Sequence, residues 1–381
     1  MRRNPVLDRL GDNPVTRVQD AAREMRARGM PLIDFSIGDP REPTPPFIAD
    51  ALRRAVPVVS QYPTTRGLPA LREAIAGYVG RRFGVDIDPG TQVMPTTGSK
   101  EGIFSTPLAF VDRDAHDAVI WGTPGYSVYE RGAAFAGARG VAVPVTGDLV
   151  FRPEHIADED WADARLVWIC SPHNPTGSVM APQVIESFIT RTRQAGALLC
   201  ADECYADLYE DEPPPSVLQL AGPGAPGVLS YLSLSKRSGM TGYRSGAIVG
   251  DPDAIAALTM LRTATGTAAP EYTQAAAIAA WSDDEHAAER REIFTAKRQL
   301  LRKAFMAAGL EVVGSEAGLY IWLRVDDDLA AAATLLEAGI VVSPGRAFGT
   351  GGEGFLRLAL VPTLDECAAA ASAVVAVLAN E

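Results

Sequence analysis

Cysteine is scarce in this chain: 381 residues carry four, Cys170, Cys200, Cys204 and Cys367. They fall mostly in or beside apolar runs and form no metal-ligand spacing. A disulfide scaffold and a cysteine metal site are therefore set aside, and buried reduced thiols are expected. Basic residues are also short, 35 against 47 acidic ones, for a net charge of −12. That balance disfavours nucleic acid and anionic membranes as partners. No uninterrupted apolar run reaches the roughly 18 residues of a membrane helix, and the first residues lack the apolar stretch of a secretory leader. The expectation is a cytoplasmic protein. Internal repeats and low-complexity segments are missing too. What the chain does have is length and 47 % hydrophobic content, enough for a substantial core.

From about Thr91 to Asp251, apolar runs alternate with helical stretches. This is the rhythm of an α/β fold with a doubly wound, mostly parallel mixed sheet between helices. Ala275 to Ala307 reads as one long, alanine-rich, charged helix. Beyond it, Glu311–Val313, Tyr320–Arg324, Gly339–Val342 and Phe355–Leu360 read as short strands, and a final helix begins near Leu364. These describe a smaller α+β domain. The expected division is an N-terminal arm with part of the small domain over 1–46, a large domain over 47–285 and a small C-terminal domain over 286–381. Glu210 to Pro215 reads as a surface loop.

The richest run is Ser233-Leu-Ser-Lys-Arg-Ser-Gly-Met-Thr-Gly-Tyr-Arg-Ser-Gly246, which follows the strand-like Val228–Leu232. It places Lys236 among hydroxyls with Arg244 eight residues on. A desolvated lysine near positive charge has its pKa lowered toward nucleophilicity, while the hydroxyls and guanidinium can bind a phosphate dianion. Pyridoxal phosphate needs both a lysine to attach to and a phosphate cup. Its ring nitrogen also wants a buried carboxylate. Asp202, closing the apolar run Ala197–Ala201, stands where ligands bind at strand carboxyl ends, although a strand-end aspartate can also cap a following helix. Tyr205 could reach the ring's 3-oxygen. Asn174, on the turn Ser171-Pro-His-Asn-Pro-Thr-Gly177, could donate to the same atom. His173 beside it reads as structural. Gly98-Ser99-Lys100 opens a helix whose free N–H groups suit a phosphate. Tyr126 offers a stacking face. Arg357 sits inside an apolar strand and demands a bidentate carboxylate, from a structural acid or from substrate, the substrate being favoured.

Taken in order, Asn174-Pro-Thr-Gly, Asp202-x-x-Tyr205, Ser-x-Ser-Lys236 with Arg244, and Arg357 resemble the fold-type I pyridoxal-phosphate aminotransferases of class I/II. The resemblance runs from Ile37-Gly38-Asp39-Pro40 through Arg357. It implies that Lys236 attaches the cofactor and shuttles the proton, that Asp202 pairs with the ring nitrogen, and that Tyr205 and Asn174 hold the 3-oxygen. Tyr126 would stack on the ring. Gly98, Ser99, Lys100, Ser233, Ser235 and Arg244 would line the cofactor cup. Tyr62 would reach the phosphate from a partner subunit, which implies a homodimer. Arg357, with Asn174 and the Gly38 backbone, would clamp the substrate α-carboxylate. The strings Ser-Leu-Ser-Lys-Arg-Ser and Ile-Gly-Asp-Pro-Arg-Glu-Pro-Thr-Pro are similar to N-succinyl-diaminopimelate aminotransferases of lysine biosynthesis.

Amino transfer between glutamate and a keto acid, N-succinyl-2-amino-6-ketopimelate by that similarity, is the leading expectation. Other class I/II aminotransferases (aspartate, alanine or aromatic) and a carbon–sulfur β-lyase share the motifs. A non-catalytic cofactor-binding regulator would want a basic DNA-binding extension, which this acidic chain does not carry. Arg66, Arg262 and Arg346 are candidates for a distal carboxylate, each with a salt bridge as the alternative. No metal is expected.

Overall fold

The computed structural model describes residues 1–9, 14–145 and 147–379. In chain order its strands are β1 (Ile33–Asp34), β2 (Val93–Thr96), β3 (Ala118–Thr123), β4 (Arg139–Pro144), β5 (Ala164–Cys170), β6 (Leu198–Asp202) and β7 (Val228–Ser233). They continue with β8 (Gly246–Gly250), β9 (Val312–Val313), β10 (Tyr320–Arg324), β11 (Ile340–Val341), β12 (Ser343–Pro344) and β13 (Phe355–Ala359).

Seven of them form one sheet in the order β2-β8-β7-β6-β5-β3-β4. β8 runs antiparallel to both neighbours, and the remaining pairs are parallel. The sequence explains the layering. β5, β6 and β7 are continuous apolar runs rather than alternating ones, which suits strands covered on both faces. Helices such as Ser99–Phe110 and Pro182–Ala195 supply that cover. Two apolar clusters result, one on each side of the sheet, built around Val167, Phe188 and Trp281 and around Trp168, Tyr129 and Tyr231.

β12, β13, β10 and β9 make a second, antiparallel sheet, while β1 pairs with β11. The segment after β1 is stitched between them. Phe35 N donates to Val341 O at 2.8 Å, and Ala359 N donates to Phe35 O at 2.8 Å. Phe35, Phe294, Phe305, Leu335 and Leu356 share the cluster beneath this sheet. Residues from both ends of the chain thereby meet, which carries Ser36–Asp39 toward the carboxyl ends of the large sheet.

The single long helix expected over 275–307 is instead two helices, Glu271–Trp281 and Glu285–Ala307. Ser282-Asp283-Asp284 separates them. Serine and aspartate side chains compete for backbone donors, and the Asp283 carboxylate accepts from His286 N at 3.0 Å, starting the second helix. Glu210 lies in an irregular segment as expected, though its carboxylate is taken by buried Arg298 at 3.1 Å.

Candidate active site

Three parallel strands end side by side and set the floor of the site. Cys170 stands opposite Asp202, and Asp202 opposite Tyr231. Adjacent strands lie about 4.8 Å apart, so the segments leaving β5, β6 and β7 carry Asn174, Asp202 and Lys236 in one row. In the antiparallel pair β2–β8, Thr96 faces Gly246. That register brings the turn Thr97-Gly98-Ser99 beside Arg244. A cavity of about 670 Å³ opens over this row, where ligands bind in open α/β sheets.

Ser99, Lys100, Tyr126, Asn174, Asp202 and Tyr205 line the cavity. Ser233, Ser235, Lys236, Arg244, Gly38 and Arg357 complete its wall. Gly98 stands just behind: it adopts φ 89°, and a β-carbon there would run into the Arg244 guanidinium. Only glycine fits both demands. Of the residues anticipated for the cofactor and the α-carboxylate, Tyr62 lies elsewhere, fully exposed on the segment that also exposes Val58 and Val59.

Asp202 is 3 % exposed. Tyr129 OH donates to one of its oxygens at 2.9 Å and Cys204 N to the other at 3.3 Å. Burial pushes the carboxyl up, and the donors from Cys204 and Tyr129 pull it back toward the ionised form. Tyr129 is itself stacked on Trp168 at 5.1 Å, which fixes its hydroxyl. No helix begins at Asp202, so the capping alternative does not describe it.

Lys236 sits in the one-turn helix Leu234–Arg237, where Ser233 Oγ accepts from Ser235 N. Arg237 turns away into the core. Its guanidinium donates to Ala280 O at 2.8 Å and pairs with Asp284 at 2.6 Å, anchoring the turn. Lys236 is left facing the cavity, with Nζ donating to Gly38 O. Burial brings its amine down to about 8, with Asp39 opposing the shift and Arg357 and Arg244 adding to it. A sizeable neutral fraction therefore exists near neutral pH.

The anion-ready end of the cavity combines three features. No side chain caps the helix Ser99–Phe110, so its first N–H groups face the cavity uncapped. Ser233 and Ser235 present hydroxyls. Arg244 adopts φ 55°, in the left-handed region that costs a non-glycine residue free energy, and its Nη1 donates to Thr241 O at 2.9 Å.

At the opposite wall, β13 carries Arg357, 6 % exposed. Its guanidinium donates to Asn174 Oδ1 at 3.0 Å and Ser36 O at 2.7 Å, and lies 4.3 and 4.4 Å from the ring centres of Phe348 and Tyr320. Its Nε has no partner. Among the described residues no carboxylate pairs with it. Tyr205 OH, 2.8 Å from Tyr320 OH, joins the same network.

Arg66, Arg262 and Arg346 do not enter the cavity. Arg66 donates to Gly90 O, Arg262 is buried against Glu101, and Arg346 holds Asp328 at 2.6 Å. Each arginine has taken the salt bridge or hydrogen bond that its immediate surroundings offer. His173 is spent as well. Burial brings its imidazole down to about 4, and its Nδ1 lies 2.8 Å from Thr176 Oγ1. Sequence reasoning missed Tyr129, Tyr320 and Arg131. Tyr129 and Tyr320 occupy apolar stretches, where an aromatic carries no sign of a site, and Arg131 lies close behind the aromatic run Tyr126–Tyr129 with no motif to single it out.

Residues 30–374 match the family model for aminotransferase class I and II, and the chain belongs to that family. It is a pyridoxal-phosphate-dependent aminotransferase of fold type I. The LL-diaminopimelate aminotransferase of Nitratidesulfovibrio vulgaris is 35 % identical over 370 residues, 93 % of this chain and 94 % of that protein. A Streptomyces rimosus enzyme, 4-dedimethylamino-4-oxo-anhydrotetracycline transaminase OxyQ, is 37 % identical over 344 residues, 90 % of this chain and 92 % of its own. Among solved structures, a probable N-succinyldiaminopimelate aminotransferase from Thermus thermophilus superposes with a TM-score of 0.90 at 29 % identity, covering 96 % of this chain and 100 % of that one.

Proposed function

We propose that Lys236 is the reacting lysine of this aminotransferase and that Arg357 selects its amino- and keto-acid substrates by their α-carboxylate. One observation carries this: a buried amine brought down to about 8, a buried carboxylate and a buried arginine without an acidic partner converge in one cavity.

The residues fit pyridoxal phosphate. Arg244, Ser233, Ser235 and the N–H groups of Ser99 and Lys100 would hold its phosphate, with Gly98 allowing the close approach. Asp202 would face its ring nitrogen, Asn174 and Tyr205 its 3-oxygen, and Tyr126 its ring. Bound there, the group supplies an electron sink for charge developing at the substrate α-carbon. Arg357 grips the α-carboxylate through its guanidinium donors. Asn174, whose Oδ1 already accepts from Arg357, keeps its amide nitrogen for donation. Lys236 would take the proton from the substrate α-carbon on its amine and hold it there for return. A positioned base of this kind contributes about 10²–10⁴-fold in rate. The surrounding burial keeps water from that proton.

Glutamate is the proposed donor, and an acid of the diaminopimelate group, free or N-succinylated, the proposed acceptor product. The activities named for the Nitratidesulfovibrio relative and the Thermus structure support this. The Streptomyces relative, equally similar, favours a second reading in which another keto compound is the acceptor. We further propose that residues 47–285 and the flanking 1–46 and 286–381 close on each other over substrate. A second copy would bring Tyr62 to the phosphate, in keeping with the exposed Val56, Val58, Val59 and Tyr62. The cytoplasm is the proposed compartment.

A half-reaction panel tests the function. Glutamate, alanine, aspartate, an aromatic amino acid, LL-diaminopimelate and N-succinyl-diaminopimelate are added singly to cofactor-loaded protein while the cofactor absorbance is followed. Conversion to the amine form by glutamate and a diaminopimelate is expected. Conversion by the others alone removes the substrate assignment, and keto-acid release without the amine form points to a lyase.

A further inference from the structure

Five cationic side chains line the cavity (Lys100, Arg131, Lys236, Arg244 and Arg357) against two acids, Asp39 and Asp202. The reading above employs Lys236, Arg244 and Arg357. Arg131 remains. It sits on the helix Val128–Ala136, four residues after Ser127, so that both present the same helix face to the cavity. Tyr129 leaves the same helix on another side, toward Asp202.

Arg131 is half-buried, and its side chain has no ion pair or hydrogen bond among the described residues. Elsewhere in the fold several enclosed arginines have an acid partner, Arg82 with Asp207, Arg262 with Glu101 and Arg298 with Glu210, whereas among the described residues buried Arg290 and Arg357 pair with none. The charges of Arg131 and Arg244, after burial itself, also lower the Lys100 amine, which places these cations within reach of one another. A repulsive cluster at a cavity wall is stabilised when an anion arrives. The phosphate proposed at Arg244 answers part of that charge. An unpaired guanidinium at the wall suits one further carboxylate, bound in a bidentate fork.

We propose that Arg131 pairs with the second acidic group of the substrate, making it a specificity-determining residue for dicarboxylic over monocarboxylic amino acids. This rests on the aminotransferase reading and deepens it.

The test uses cofactor-loaded protein and the variants Arg131→Gln and Arg131→Lys. Glutarate and butyrate binding are measured by calorimetry, and half-reactions are run with glutamate and 2-aminobutyrate. Losing a charge-assisted hydrogen bond predicts a fall of about 10- to 100-fold in glutarate affinity and glutamate kcat/KM for Arg131→Gln. Butyrate and 2-aminobutyrate should be unchanged, and Arg131→Lys should recover part of the loss. Equal losses for both ligand classes, no loss, or weakened cofactor binding in place of the dicarboxylate effect overturns the assignment. A wild-type protein that converts neither amino acid removes the aminotransferase reading along with it. A wild type that reacts while Arg131→Gln keeps its preference removes this inference alone.

Discussion

The two ends of the cavity differ in how their polar groups are held. At the inner end three charged groups have protein partners: Asp202 has Tyr129 and Cys204, Lys236 has Gly38, and Arg357 has Asn174 and Ser36. At the wall formed by the Ser99 and Val128 helices, Lys100 and Arg131 meet no acid among the described residues, and Lys100 is exposed. The inner end is therefore preorganised before anything binds, which is what lowers the reorganisation a reaction must accomplish. On the proposed reading the outer wall would be completed by the ligand, with the shared chemistry assigned to the first arrangement and substrate choice to the second.

That contrast can be broken from the inside first. Asp202→Asn keeps the shape and removes the charge. Leaving a buried cationic partner uncompensated costs about 3 kcal/mol or more, so kcat/KM should fall by at least about two decades in steady-state assays. Near-normal turnover would mean that Asp202 faces no ring nitrogen. Arg357→Gln comes next. Loss of the charged donor to the α-carboxylate should cost about 1.5–3 kcal/mol, or about 10- to 100-fold, with KM for glutamate carrying most of the change. An unchanged KM would free Arg357 from that role.

Tyr129→Phe has the smallest effect and the sharpest signature. Tyr129 is a positioning residue, acting through Asp202, and removing its donor should cost about 1 kcal/mol, roughly fivefold in rate. Its hydrogen bond holds the Asp202 carboxyl down against burial. Without it the carboxyl rises further, so the acid limb of the pH–rate profile should move to higher pH. A rate loss with an unmoved acid limb would assign Tyr129 to packing alone.

Much of the inner end was legible in the sequence, for a physical reason. Lys236, Asp202 and Asn174 each follow a continuous apolar run, and parallel strands align their carboxyl ends, so three segments distant in sequence converge once the runs are identified. Arg357 was legible because a guanidinium inside an apolar strand needs a partner. Tyr129 and Tyr320 were not, since an aromatic on a helix or strand reads the same whether it packs or points a hydroxyl into a site. Arg131 was hidden because its exposure depends on which helix face meets the cavity, and that follows from packing of Val128, Tyr129 and Ala133 against the sheet. The break at Ser282–Asp284 was overlooked because the alanine-rich pattern continues on both sides of it.

The most direct test of the account is to locate the lysine that carries the cofactor. Protein loaded with pyridoxal phosphate is reduced with borohydride, digested, and its peptides are read by mass spectrometry. Loading is repeated across pH, because an amine brought down to about 8 should be captured with a midpoint near that value rather than above about 10. A single modified peptide containing Lys236 is expected, absent in Lys236→Ala. Modification at Lys100 or another lysine, with Lys236 untouched, would contradict it.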